Sequence, residues 1–434
     1  MWIAFLVPVV IYSIKGLHFY FPFIPNINLD IQLQGYLAAL DKPWNSVNPF
    51  WIKIFFSVIG FTYLIPIDLS FSLWFFYLFF QLQIVVGSMM GLPMPIFPNG
   101  NLKAFQVYQT AGGVFIFAVL LFWAMRADLK KMFSNLFKKK TAPEDEKELY
   151  GTRLAIICLF AGFFFICFWA MAAGVKFWAI AFFSIIFFLT VVVTTRMVAE
   201  GGLFSIHHDF LPLELMFPFV GSASMGAASI PTLAAFNQIF GREFRVLLMP
   251  FILNNFKMAD EAKMKKRSLV IPMALSVVVI IVVSYVTILN LMYRYGGVNL
   301  IPWFTNILPN SFVWSRATLY LTSPVSPNFK DVLTMIIGAG ATFFLFAMRR
   351  IFLWWPFHPI GYLMAGGYAM HHIWFSTFLG WLVKVVILKI GGIKIYQKLM
   401  PAFLGLILGE FVVIGAWALV DLIAGTRGNF LLWM

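Results

Sequence analysis

Arg196 and Glu200 stand four residues apart in Thr194-Thr195-Arg196-Met197-Val198-Ala199-Glu200-Gly201-Gly202, at the end of a long apolar run. On a helix that spacing puts both side chains on one face, within reach of each other. Gly201 and Gly202 then allow the backbone to unwind and come close to a ligand. His207, His208, Asp209 and Glu214 follow at once. Such a group can bind a polar solute, with Arg196 holding a carboxylate or keeping Glu200 ionised, and Glu200 carrying a proton. A second carboxyl lies in Gly405-Leu406-Ile407-Leu408-Gly409-Glu410, deep inside an otherwise apolar stretch. Glu410 must there be protonated or find a partner. The glycines around it favour close helix packing. The expected solute-binding residues are therefore Arg196, Glu200, Gly201, Gly202, His207, His208 and Asp209, and the expected ion-coupling residues Glu200 and Glu410.

Other constellations carry less chemistry. His371 and His372 are adjacent, with His358 upstream, but the chain has six histidines and neither an HExxH nor a repeated HxxHH pattern. They read as amphipathic residues at an interface. Cys158 and Cys167, the two cysteines, fall within one apolar run and form no zinc knuckle or disulfide framework. Gly221-Ser222-Ala223-Ser224 lacks a nucleophile-elbow pattern and reads as small residues at a bend. No Walker A sequence is present, nor a GxGxxG fingerprint in strand context. The expectation is no catalytic residue, no metal, no cofactor and no enzymatic activity.

The elements that must position these residues are membrane helices. Hydrophobic residues make up 62% of the 434, charged residues 11%, and the mean hydropathy is +0.89. A soluble domain is closer to about 45–50% apolar and about 25% charged. The apolar runs are long and continuous, as helices that satisfy their own backbone require. The expected class is all-α polytopic transmembrane, with about eleven spans: 1–14, 51–67, 70–91, 106–126, 153–173, 176–198, 268–292, 331–348, 351–370, 373–390 and 399–424. The region 199–240 is apolar but interrupted by Pro212, Pro218, Gly221, Gly226 and Pro231. It reads as a re-entrant hairpin or two short broken helices, whose free ends build sites in transporters. The expected organisation is an N-terminal bundle 1–126, a cytoplasmic linker 127–152, and a C-terminal bundle 153–434 that contains the broken region.

The net charge is +14. Of 31 Lys and Arg, 21 lie in 126–153, 241–267, 349–350 and 384–398. Clustering between apolar runs is the positive-inside pattern and accounts for the charge without nucleic acid. It places loops 127–152 and 241–267 in the cytoplasm and the long loop 293–330 outside. The stretch 242–267 has an apolar side and a basic end, as a helix lying along the membrane surface would.

Two of these places resemble the oligopeptide transporter superfamily, including its yellow-stripe-like metal-chelate branch. Arg196 and Glu200 match in type and spacing an Arg-x-x-Gly-Glu-Thr-Asp stretch at a helix end. Ala199 stands for its glycine, and Gly201-Gly202 for its Thr-Asp. Pro401-Ala402 followed by Gly405-Leu406-Ile407-Leu408-Gly409-Glu410 is similar to a Pro-Ala start and Gly-Leu-Ile-x-Gly-Glu/Asp core in a late helix. Gly16-Leu17-His18-Phe19-Tyr20-Phe21-Pro22 and Phe71-Ser72-Leu73-Trp74-Phe75 further resemble an uncharacterised group of bacterial membrane proteins related to those transporters. The resemblance implies a fold of about sixteen helices in two related halves, of which eleven spans would lack the first helices. It implies ion-coupled secondary transport, with protons the expected ion, of a small peptide or metal-chelate-type solute. The expected partners are the bilayer, the solute and, optionally, further copies of the chain. Two other readings stand beside it: a membrane-embedded enzyme acting on a lipid-linked substrate, and a non-catalytic membrane subunit.

Overall fold

The computed structural model describes residues 1–47, 49–98, 102–137, 143–203, 206–242, 247–264, 266–300, 303–426 and 429. The basic run Lys138–Lys140 lies outside the described residues. Among the described residues the fold is all-α apart from an isolated bridge between Ile96 and Lys103 and one short ribbon, in which β1 (Asp30–Gln32) pairs antiparallel with β2 (Trp51–Lys53). Among the described residues, eight helices are long and apolar enough to cross a membrane. They are α1 (Trp2–Tyr20), α4 (Ile67–Met89), α5 (Ala104–Ala124), the Arg153–Ala172 part of α7 (Pro143–Ala172), α8 (Phe177–Gly201), the Ser268–Tyr295 part of α12 (Lys266–Tyr295), α14 (Phe329–Ile351) and α16 (Tyr368–Ala424). None of the most apolar stretch of α12 is buried inside the molecule. Water would not tolerate that much bare Val, Ile and Leu surface.

The chain divides into two compact units that interleave along the sequence. The first comprises 1–110, 200–209 and 340–434; the second comprises 111–199 and 210–339.

In the first unit the organising element is α16. Gly392 adopts φ +61°, ψ −171° within it, so its 57 residues form two helical arms rather than one rod. The short helix α3 (Phe56–Leu64) packs against both arms. Along the first arm Ser376, Gly380 and Lys384 meet Phe55, Ile59 with Thr62, and Ile65, so the two helices run parallel. Along the second arm Tyr396, Phe403, Ile407 and Glu410 meet Tyr63, Gly60 and Ser57 in the reverse sense. The approach is close because Gly60 and Gly380 have no Cβ. A Cβ on Gly60 would lie 2.5 Å from the Ile407 side chain and 2.7 Å from the Phe403 carbonyl. Helix α1 lies on the second arm, where Gly405 and Gly409 admit the backbone carbonyls of Met1 and Phe5.

Two stretches differ from the expected spans. Residues 51–67 do not form one crossing helix: β2 is followed by α3, nine residues long. Its end is set by Pro66, which holds Ile65 extended at ψ 162°. Residues 351–370 are likewise broken. Helix α14 stops at Ile351, Pro356 and Pro359 interrupt the chain, and α15 (Pro359–Ala365) has seven residues before Gly366-Gly367. Hydropathy alone reads such half-helices as spans because their composition is the same.

In the second unit, the broken region 199–240 holds two short helices after the end of α8. These are α9 (Pro212–Val220), with proline in its first turn, and α10 (Ser229–Gly241). Gly221, at φ +67°, ends α9 and packs on the Val325 carbonyl. Trp303–Trp314 winds as a wide π-helix into α13 (Ser315–Thr322). Thr190, Thr194 and Thr195 of α8 donate to carbonyls one turn back, which satisfies their hydroxyls inside an apolar helix. The stretch 127–152, expected as a soluble linker, contains most of α6 (Arg126–Phe137) and the first turns of α7 among its described residues. In 242–267, α11 (Leu248–Glu261) exposes Leu248, Met249, Phe251 and Leu253.

Candidate functional site

Helix α3 leaves its first N–H groups without intrahelical partners, and they carry the positive end of the helix dipole. Both of its ends are completed by side chains of α16. The Ser376 hydroxyl accepts from Phe55 N–H at 2.9 Å and donates to the Lys53 carbonyl at 2.8 Å. Glu410 accepts from Ser57 N–H at 2.5 Å through Oε2, and from the Tyr12 hydroxyl at 2.5 Å through Oε1. Glu410 has no exposed surface, and Tyr12 is 1% exposed. At the other end the Lys384 ammonium donates to the Ile65 carbonyl at 2.5 Å. An acid therefore sits at the N-terminus of α3 and a cation at its C-terminus, the arrangement its dipole favours.

One turn before Ser376, the first arm carries His371 and His372. Each is 3% exposed, packed inside the protein. His371 Nδ1 is 2.9 Å from the Pro49 carbonyl and 3.2 Å from the Tyr77 hydroxyl. The His372 ring stacks on Trp51 at 4.2 Å and meets Tyr368 edge-on at 4.7 Å. Lys53 lies over the same Trp51 ring at 5.2 Å and pairs with Asp30 at 3.0 Å. Trp374 Nε1 donates to the Trp51 carbonyl at 2.7 Å. Backbone that a regular helix would have used up is thus held open by side chains around residues 49–57.

The sequence-predicted residues separate. His207 and Asp209 lie at the start of α16, where Asp209 Oδ2 accepts from Tyr368 N–H at 2.8 Å and Asp209 Oδ1 is 3.8 Å from His207 Nδ1. Gly367 makes this approach feasible: a Cβ there would lie 2.7 Å from the His207 carbonyl. His208 is 3% exposed, and burial, with His207 adding, pushes its imidazole down to about 3. Gly201 is buried against Leu203 and Leu69, and Gly202 takes φ +61°, a turn that favours glycine. Arg196 and Glu200 sit one turn apart at the end of α8, both exposed. Glu214 belongs to the second unit. It accepts from Asn237 Nδ2 at 2.7 Å and from the Tyr320 hydroxyl at 3.0 Å.

Sequence reasoning gave no role to Tyr12, Lys53 or Ser376, took Trp51 for an interfacial ring, and counted Lys384 among the basic residues of 384–398. Tyr12 and Ser57 lie 398 and 353 residues from Glu410 in the chain, so no local pattern links them. Lys384 was readable only as a basic residue inside an apolar run. Among the described residues, no three His, Cys, Asp or Glu groups are placed to hold one metal ion.

Comparison with known proteins returns one family. The model described as "Family of unknown function (DUF6785)" matches residues 1–433. No curated protein and no solved structure matches the chain.

Proposed function

Starting from the premise that this chain belongs to the DUF6785 family of unknown function, we propose that it is an ion-coupled secondary transporter, similar in plan to the oligopeptide transporters, moving a small polar solute of peptide or metal-chelate type. The observation that carries this reading is Glu410: a fully buried carboxyl in an apolar helix, bound by one hydroxyl and one backbone N–H at the open end of a half-helix. Ionisable groups at such depth are costly and mark ion pathways. Half-helix ends at membrane depth are where transporters bind ions and solutes.

In this reading Glu410 exchanges a proton. When it is ionised, Ser57 N–H and the Tyr12 hydroxyl hold the charge. When it is protonated, its grip on the N-terminus of α3 weakens. Helix α3 is therefore free to shift between the arms of α16 as the charge changes. The half-helix carries β2 with it, and so moves Trp51 and Lys53 against His371 and His372. His207 and Asp209, at the start of α16, belong to the solute's surroundings. The two arms of α16 supply two crossings. The chain lies in a bacterial plasma membrane with loops 127–152 and 241–267 on the cytoplasmic side, where their basic residues put them.

The test is uptake in proteoliposomes under an imposed proton gradient, with pooled small peptides and metal chelates. Gradient-driven uptake by the native chain, lost in Glu410→Gln while gradient-independent exchange persists, is the expected result. Uptake unaffected by Glu410→Gln removes Glu410 from coupling. Absence of uptake by the folded native chain removes the transport reading for those solutes.

A further inference from the structure

Within the second unit, α8 and α10 run side by side and in step. Lys176 N–H donates to the Ser229 hydroxyl at 3.1 Å, Phe183 meets Phe236 at 6.5 Å and Phe187 meets Phe240 at 6.2 Å, and each pair is 53 residues apart. One constant offset means parallel helices whose residues keep level. It puts the turn between α9 and α10 beside the start of α8, where the Lys176 ammonium donates to the Ser224 carbonyl at 2.9 Å. It puts Arg242, just past the end of α10, level with Leu189, the middle residue of the 25 in α8. Helix α8 is long and apolar enough to cross a membrane. Arg242 therefore lies near half depth, at the head of a basic stretch that continues to the cytoplasmic side.

The segment Trp303–Thr322 spans the same two levels in the opposite sense. At its π-helical end, the Arg242 guanidinium lies 3.8 Å from the centre of the Phe312 ring and 5.3 Å from that of Trp303. Gln238 Nε2 donates there to the Phe312 carbonyl at 3.2 Å. At the other end, the Ser222 hydroxyl donates to the Tyr320 carbonyl at 3.3 Å and accepts from Val325 N–H at 2.9 Å. Ser222 belongs to the turn level with the start of α8. With Tyr295 at the outer end of α12, the chain descends before Trp303 and climbs back through α13.

Asn306, Asn310 and Ser311, near the deep end of this segment, are exposed, and Asn310 Nδ2 donates to Asn306 Oδ1 at 2.6 Å. Amides and hydroxyls at such depth are costly against lipid and turn to protein or to water. Irregular backbone that re-enters a bilayer is held to the same choice. We propose that residues 303–322 form a re-entrant segment whose Asn306, Asn310 and Ser311 line a water-filled vestibule, open to the outer side and reaching down to the level of Arg242. It admits water and small hydrophilic solutes. This deepens the transport reading and rests on it only for which side is outer; the depth comes from the register of α8 and α10.

The experiment places single cysteines in the full chain in right-side-out and inverted vesicles, with Cys158 and Cys167 replaced by alanine. The probes are a small membrane-impermeant methanethiosulfonate and a bulky polyethylene glycol maleimide. Asn310→Cys and Ser311→Cys change exposed residues, so the fold is kept. Both should react with the small probe in right-side-out vesicles and lose reaction with the bulky one. Ser323→Cys, at the upper end, should take both probes, and Val279→Cys, exposed on the apolar surface of α12, neither. No gradient or solute enters the measurement, so its failure is distinct from a failure of uptake. Small-probe reactivity at Asn310→Cys and Ser311→Cys no greater than at Val279→Cys overturns the vestibule. Bulky-probe labelling there equal to that of Ser323→Cys puts the segment on the surface, and reaction in inverted vesicles only removes the outer opening; either overturns the assignment.

Discussion

At the scale of single residues, the buried acid Glu410 is held by its partners as much as by its own chemistry. Glu410 is tolerated because two donors reach it, and removing either strands one oxygen. Tyr12→Phe should cost about 1–3 kcal/mol, the desolvation penalty of a buried acceptor left unmet. Chemical unfolding of the purified protein in one detergent checks it, and an unchanged midpoint would mean that the Tyr12 hydroxyl is replaceable. His208 makes a prediction of different sign with pH. Its folded value, about 3, lies below the ordinary 6.5. The unfolded chain therefore binds a proton that the folded chain does not, between those two values. Stability should fall on acidification below pH ~6.5, at up to about 1.4 kcal/mol per pH unit for one proton. His208→Phe should flatten the acid limb of a plot of unfolding midpoint against pH. An unaltered slope would show that the proton is taken up elsewhere.

Elements were legible where one physical rule governed them. The apolar runs behind α1, α4, α5, α8, α12 and α14 announce helices by length and continuity, and the breakers in 199–240 divide that region into short pieces. Hydropathy could not separate a crossing helix from a half-helix buried in protein, so 51–67 and 351–370 read as spans. The prolines at 66, 356 and 359 were the available signal. The candidate site was legible only in part. Glu410 stood out as a charge in an apolar helix, and His207 with Asp209 lie in the same unit. What the sequence did not show was the setting of Glu410: α3, clasped by residues more than 300 positions away. That clasp gives an element-scale prediction. Gly60→Ala places a methyl against Ile407 and the Phe403 carbonyl and should destabilise by about 1–3 kcal/mol, the usual overpacking cost. Gly415→Ala, on the same second arm with nothing within 4 Å, should be neutral or gain about 0.5–1 kcal/mol. Equal effects from the two would show that α3 does not pack tightly on α16. Lys384→Met tests the opposite end, where the Ile65 carbonyl would lose its donor.

For the molecule as a whole, the proposed orientation in a bilayer rests on charge. Loops 126–153 and 241–267 hold fifteen Lys and Arg, whereas 293–330 holds Arg294, Arg316 and Lys330. Basic residues near an anionic cytoplasmic leaflet gain about 1 kcal/mol each, so the proposed orientation keeps 126–153 and 241–267 on the cytoplasmic side. In that proposed orientation α12 leaves the basic side and α14 returns to it, with α13 and the π-helical segment between them. The prediction follows from single cysteines placed in a chain whose Cys158 and Cys167 are replaced by alanine. Lys131→Cys in α6, Glu261→Cys in α11 and Ser323→Cys after α13 all replace exposed residues. A membrane-impermeant maleimide should label Lys131→Cys and Glu261→Cys in inverted vesicles only, and Ser323→Cys in right-side-out vesicles only. Labelling of Ser323→Cys from the same side as the other two would mean that α12 and α14 do not cross. The bare apolar surface of α12 would then have to be covered by something other than lipid.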